Sequence, residues 1–227
     1  LALDGGKSAI VEPARGFLEE TISSELVLDT SMFPDLEGSL RYLLHYPYGC
    51  VEQTTSSLIP WITLKDYLKS IDSVAYVDEE IQDRVDAGIH RLFSMQTSDG
   101  GLGWWPGDSH SYTYGSLYAA WVLGEAKAAG YSLPEARYRL LLSFIDDLLV
   151  QPREEESRPA ATVRAFALEI LAREGRTVTG WIDNLYQRRE EMSEEAMAHL
   201  AVAAVLSKHR LPESLLDPDS VLRLGSG

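Results

Sequence analysis

The sequence predicts an all-α fold built as an array of antiparallel helical hairpins. Three observations carry that expectation. Apolar residues recur at helical spacing in segment after segment from about residue 35 to residue 210. The periodic segments are joined by short loops, which favours antiparallel neighbours. Only one stretch alternates as a strand would, "SELVLDTSM" (24–32), where Leu26, Leu28 and Met32 fall among mostly polar neighbours.

"DLEGSLRYLLHY" (35–46) is amphipathic and is stopped by Pro47, which cannot continue a helix. "CVEQTTSSLIPWITLKDYLKS" (50–70) carries Thr54, Thr55, Ser56 and Ser57 in its early turns and Pro60 as a kink point. "VDEEIQDRVDAGIHRLFSMQ" (77–96) opens on acids, which suit the positive end of a helix dipole. It repeats Ile81, Val85, Ile89, Leu92 and Met95 along one face. "SYTYGSLYAAWVLGEAKAAG" (111–130) ends on a glycine suited to a helix C-cap. Segments 134–151, 160–175, 178–190 and 193–210 complete the series. One loop differs: "MQTSDGGLGWWPGDSHS" (95–111) concentrates glycine, tryptophan and proline. Its Asp99-Gly100-Gly101 is a turn signal, and Trp104 and Trp105 are expected to cap the helix ends they cross.

Composition is that of a globular chain, with 45% apolar and 24% charged residues. Twenty basic against 35 acidic residues give a net charge of −15. Nucleic acid and anionic membrane surfaces are therefore poor partners. No run of 18 apolar residues is present to span a membrane, so any membrane association is expected through a tether outside these residues. "LALDGGKSAIVEPARGF" has neither the basic nor the apolar region of a signal peptide. With no initial methionine and an end at "RLGSG", the chain reads as an excised fragment whose targeting signal lies elsewhere. A single cysteine forms no internal disulfide and leaves the compartment open.

That cysteine, Cys50, sits in "YPYGCVEQTTS" (46–56). Pro47 and Gly49 form a turn that presents it at the start of a helix. Gln53 lies one turn on, and positions i and i+3 share a helix face. The sulfur could meet the side-chain carbonyl carbon of Gln53, expel ammonia and close an internal thioester. A helix N-terminus favours this, because its unpaired amides and positive dipole end stabilise a thiolate. From spacing alone, an inert thiol packed as a small hydrophobe is the commoner fate of a lone cysteine.

The wider context resembles a known family. G-C-x-E-Q preceded by Y-P-Y resembles the thioester motif of the α2-macroglobulin and complement superfamily, in its bacterial form. The Q-x-x-D-G-G-x-G-x-W pattern of the tryptophan loop, followed by "SHSYTYGSLYAAWVL", resembles the inter-helix repeat of α/α toroids such as terpenoid cyclases and complement thioester domains. The similarity covers residues 20 to 210 or so. It implies an α/α toroid, complete or partial, over 35–227, preceded by an extended linker from a neighbouring β-domain over 1–34. It also implies a Cys50–Gln53 cross-link supported by Tyr48, Gly49 and Glu52, with no cofactor and no metal. Such a domain reacts once rather than turning over. It acylates lysine amines of an attacking protease, in the periplasm or outside the cell, as part of a larger protein for which a lipid anchor is one expected tether. Tyr46, Tyr48 and Trp61 are local candidates for shielding the bond or for plain packing.

Hydroxyl-preferring members of that superfamily use a histidine in a later D-G-x-F loop. The corresponding "QPREEESRPAAT" (151–162) has none, so direct aminolysis is expected. Of His45, His90, His110, His199 and His209, only His110, in the tryptophan loop, is a candidate acid-base neighbour. Other classes remain open: a cysteine hydrolase using Cys50, a toroid enzyme using Asp146 and Asp147, or a non-covalent α/α binding module. No His/Cys/Asp cluster has metal-ligand spacing.

Overall fold

The computed structural model describes residues 49–63, 78–150 and 158–210. The strand-like stretch 24–32, the helix expected over 35–46, the boundary at residue 34 and the last turns of 50–70 lie outside these residues. Seven α-helices follow in order: α1 Val51–Thr63, α2 Asp78–Ser94, α3 Thr113–Ala128, α4 Glu135–Val150, α5 Arg158–Arg173, α6 Thr179–Tyr186 and α7 Glu194–Leu206. A short 3-10 turn, Arg189–Glu191, separates α6 from α7, so the helix expected over 178–190 is shorter than its periodicity suggests. Among the described residues there is no strand, and the one β-bridge pairs Gln96 with Leu102. The all-α expectation holds for them.

Sequence signals mark the helix ends. Gly130 takes φ +94°, and the Tyr131 amide donates to Ala126 O at 3.0 Å while the Gly130 amide donates to Lys127 O at 3.1 Å. That pattern closes α3 on carbonyls that would otherwise be orphaned, and it needs the glycine's freedom at positive φ. At the start of α7, the Ser193 hydroxyl accepts from the Ala196 amide at 3.1 Å.

The helices pack as neighbours in sequence and across hairpins. α1 lies against α2 and α3, α3 against α4 and α5, and α5 against α4, α6 and α7. α5 and α7 make the most extensive contact. Both helices are rich in small buried residues: Ala161, Ala165, Ala167 and Ala172 on one, Ala196, Ala201, Ala203 and Ala204 on the other. Small side chains let the two backbones approach closely. Leu92, Leu102, Leu117, Leu123, Leu141, Ile145, Leu171 and Leu200 are fully enclosed and form the centre of the core.

The tryptophan loop is a compact folded unit. The Thr97 amide donates to Gly101 O at 2.9 Å, the Gly103 amide to Met95 O at 2.9 Å and the Tyr112 amide to Leu102 O at 2.7 Å. Leu102 plugs the core from the loop side with no exposed surface. Asp99 Oδ1 gathers three donors, the Thr97 hydroxyl at 2.5 Å, the Ser111 hydroxyl at 2.6 Å and the Gly101 amide at 3.1 Å. Gln96 Nε2 ties the loop to α4 by donating to Arg137 O at 2.9 Å. Trp104 does meet a helix end, its carbonyl accepting the Val51 amide at 3.1 Å, but through its backbone: the indoles of Trp104 and Trp105 are 42% and 47% exposed. The loop is held by its backbone and by Asp99, because polar turn bonds rather than buried indoles close it.

Asp99 carries a pH consequence. Desolvation opposes its ionisation, but hydrogen bonds from Ser111, Thr97 and Gly101 outweigh it and hold the carboxyl below its ordinary value of 3.8. A carboxylate depressed in the folded state stabilises above its unfolded value and loses that contribution as pH falls through the lower folded one. Asp99→Ala should lower unfolding stability by about 1 kcal/mol, a small amount because the group is solvent-exposed and screened. Urea midpoints should show this deficit at neutral pH and show it vanishing well below pH 3.8.

Candidate functional site

The end of α1 is where the chain's chemistry-bearing residues meet. Cys50 precedes the first helical residue and is half-buried, with a free thiol. Its backbone N–H donates to Gln53 Oε1 at 3.1 Å. This is the backward half of a capping box, in which a residue three positions into the helix reaches back to the cap. It folds the Gln53 side chain over the helix start, toward the residue that carries the thiol. Gln53 is exposed, while Val51 is fully buried.

Gly49 makes the fold-back sterically possible. A Cβ there would stand 2.9 Å from Gln53 Cβ and 3.0 Å from the Thr54 amide nitrogen. Glycine is therefore required for close approach. The Gly49 carbonyl accepts from the Thr54 hydroxyl at 3.3 Å and from Arg91 Nη2 at 3.5 Å, linking the turn to α2. The hydroxyls of Thr55 and Ser57 return to Val51 O at 2.6 Å and Thr54 O at 2.8 Å. They serve the helix rather than the turn.

The tryptophan loop supplies the other wall. The Val51 amide, an orphan donor of the helix end, bonds to Trp104 O at 3.1 Å. The Trp104 indole lies flat on Tyr112, ring centroids 3.9 Å apart and planes 12° apart. The Tyr112 hydroxyl donates to Glu52 Oε1 at 2.8 Å. Partial burial and the adjoining Glu52 carboxylate push the Tyr112 phenol up to about 12, so it remains a donor throughout the ordinary pH range. Glu52 was expected as motif support, and the structure supplies its partner. Tyr112 itself was missed by sequence reasoning. No spacing rule connects it to a motif sixty positions earlier.

Tyr48 lies outside the described residues. His110 is exposed and pairs its Nδ1 with the Ser109 hydroxyl at 2.8 Å. His199 and His209 pair with Glu169 and Asp183, each at 2.7 Å. Trp61 is buried in the core with the Arg84 guanidinium over its ring. Asp146 forms an ion pair with Arg176, while Asp147 points to solvent, so the two acids do not converge. Among the described residues, no group of three His, Cys, Asp or Glu is placed to hold a metal. A separate cleft between α3 and α5 is lined by Trp121, Tyr138, Arg173 and Glu174, and none of the motif residues faces it.

Comparisons with known proteins agree on one family. A family model described as the A-macroglobulin TED domain matches residues 21–135. The chain is 27% identical over 206 residues to an alpha-2-macroglobulin of Xylella fastidiosa, covering 87% of this chain and 13% of that protein. The fold is similar to that of Salmonella alpha-2-macroglobulin reacted with methylamine, with TM-score 0.67 and 28% identity over 76% of this chain and 12% of that one. It is also similar to trypsin-activated alpha-2-macroglobulin from Escherichia coli, with TM-score 0.62 and 25% identity over 71% and 12%. The helical toroid expected from the sequence is the fold shared with these relatives, of whose length the chain spans 12–13%.

Gly49→Ala should drive a Cβ into the Gln53 fold-back. The expected cost is about 1–3 kcal/mol of unfolding free energy, as for other overpacked sites, read as a lowered denaturant midpoint.

Proposed function

The chain belongs to the A-macroglobulin TED domain family, and from that premise we propose that Cys50 and Gln53 form an internal thioester that captures attacking proteases covalently. The observation that carries the reading is the Cys50 N–H bond to Gln53 Oε1, which points the carboxamide back at the residue bearing the thiol. Closure joins Cys50 Sγ to Gln53 Cδ and releases the carboxamide nitrogen as ammonia. The negative charge that develops on Oε1 during attack already has a backbone donor and the positive end of α1 beside it.

Capture reverses the polarity of use. A lysine amine attacks the Gln53 carbonyl carbon, an amide forms, and Cys50 leaves as a thiolate that the helix N-terminus stabilises. Each domain reacts once, so the protein is an inhibitor and not a turnover enzyme. The trypsin-activated state of the Escherichia coli protein is consistent with protease targets. The whole protein would be a bacterial alpha-2-macroglobulin-like trap, acting in the periplasm or outside the cell, with residues 1–34 as the linker from a neighbouring domain. Partner domains and any lipid tether would lie outside this chain.

Intact mass tests the core of the proposal. The freshly prepared whole protein should be lighter than its encoded sequence by one ammonia, about 17 Da. Its Cys50 should resist alkylation until methylamine both frees the thiol and modifies Gln53. Full alkylation of Cys50 before any amine is added would refute the thioester.

Nucleophile preference follows from the histidines. Three of them have one ring nitrogen engaged, Nδ1 of His110 with Ser109, Nδ1 of His199 with Glu169 and Nε2 of His209 with Asp183. The loop 151–162 carries no histidine, so direct attack depends on intrinsic nucleophilicity, where a deprotonated amine exceeds an alcohol. In competition between methylamine and glycerol, amide products at Gln53 should dominate, and His110→Ala should leave the ratio unchanged. Ester formation at a comparable rate, abolished by His110→Ala, would assign His110 as the relay.

A further inference from the structure

We infer that Tyr112 is a positioning residue for the Cys50–Gln53 cross-link, acting through Glu52. The inference rests on the thioester reading above and deepens it. Glu52 lies between Cys50 and Gln53 on the first turn of α1, so whatever fixes its side chain fixes the turn on which the two reacting groups stand. Its carboxylate accepts the Tyr112 hydroxyl at 2.8 Å, from an element sixty residues away. Tyr112 is itself immobilised three ways. Its ring is sandwiched against Trp104, its amide is bonded to Leu102 O at 2.7 Å, and its carbonyl accepts from the Ser116 amide at 2.9 Å.

Trp104 returns to the same turn by accepting the Val51 amide through its carbonyl. The first turn of α1 is thereby held at two adjacent residues, by backbone at Val51 and by side chain at Glu52, to one rigid loop. Helix ends fray in the absence of such partners. Fraying here would swing Gln53 away from Cys50, and closure needs the reacting atoms held within a narrow range of approach. A phenol held as a donor up to about pH 12 keeps this link through any pH at which amines react.

The test uses the complete protein and two readouts, the fraction of chains about 17 Da light by intact mass and the rate of methylamine incorporation at Gln53. Tyr112→Phe keeps the ring and its stack on Trp104 but removes the hydroxyl. Losing a hydrogen bond to a carboxylate should slow closure on the order of tenfold, with the thermal midpoint little changed. Glu52→Gln retains an acceptor for Tyr112 and should close nearly as wild type does. Glu52→Leu should match Tyr112→Phe, and the two together should be no worse than either alone. A Tyr112→Phe protein that closes at the wild-type rate, or Glu52→Gln as impaired as Glu52→Leu, would overturn the positioning role while leaving the thioester intact. A wild-type protein with no mass deficit would refute the thioester reading itself, and this inference with it.

Discussion

The backbone hydrogen bond from the Val51 amide to the Trp104 carbonyl fixes the start of α1 to the tryptophan loop. The first amides of any helix have no partner within the helix, and water usually takes them. Here one of them is given to a loop that is already closed on itself through Met95–Gly103 and Thr97–Gly101. The consequence is that α1 begins at a fixed place relative to α2 and α3. Every feature of the turn depends on that: the Gln53 fold-back, the Glu52–Tyr112 bond and the half-buried thiol all assume a helix that starts at Val51 and does not fray.

The turn also sits at a boundary between dry and wet. Val51, Thr55 and Leu58 face inward and are enclosed, whereas Gln53 faces out. A helix can do this because residues three apart share a face while the intervening ones turn inward. The buried side fixes the geometry of the turn, and the exposed side leaves the Gln53 side chain facing solvent. Gly49 serves the same division. Lacking a Cβ, it lets the exposed side chain lie back across the helix start.

Away from the turn, charge is used to join hairpins. Buried Glu169 meets His199 at 2.7 Å and Arg173 at 2.9 Å, so α5 and α7 share a satisfied polar cluster inside an otherwise alanine-rich contact. Burial opposes ionisation of Glu169, but bonds from His199 and Arg173 prevail and lower its pKa. His199 also stacks on Phe166 at 4.4 Å, which makes it part of the packing. Lys127–Glu174 and Arg173–Glu125 link α3 to α5 at the surface, each a modest contribution on its own. With the pairs made, the chain still carries its excess of acids, a net charge of −15.

By itself, the sequence determined what is local. Helical period placed every described helix to within a few residues, since burial of one face dictates it. Gly130 marked the end of α3 because only glycine accepts that backbone angle cheaply. Cys50 and Gln53 could be paired on paper because i, i+3 geometry is a property of any helix. Tertiary structure decided what depends on distant segments meeting. The indoles of Trp104 and Trp105 remain half-exposed because loop 95–112 is closed by Asp99 and its own amides, a balance that composition does not reveal. His199 became a core partner only when α7 packed against α5. Tyr112 reached Glu52 only because α1 and α3 lie side by side, a contact between residues sixty apart that no periodicity encodes.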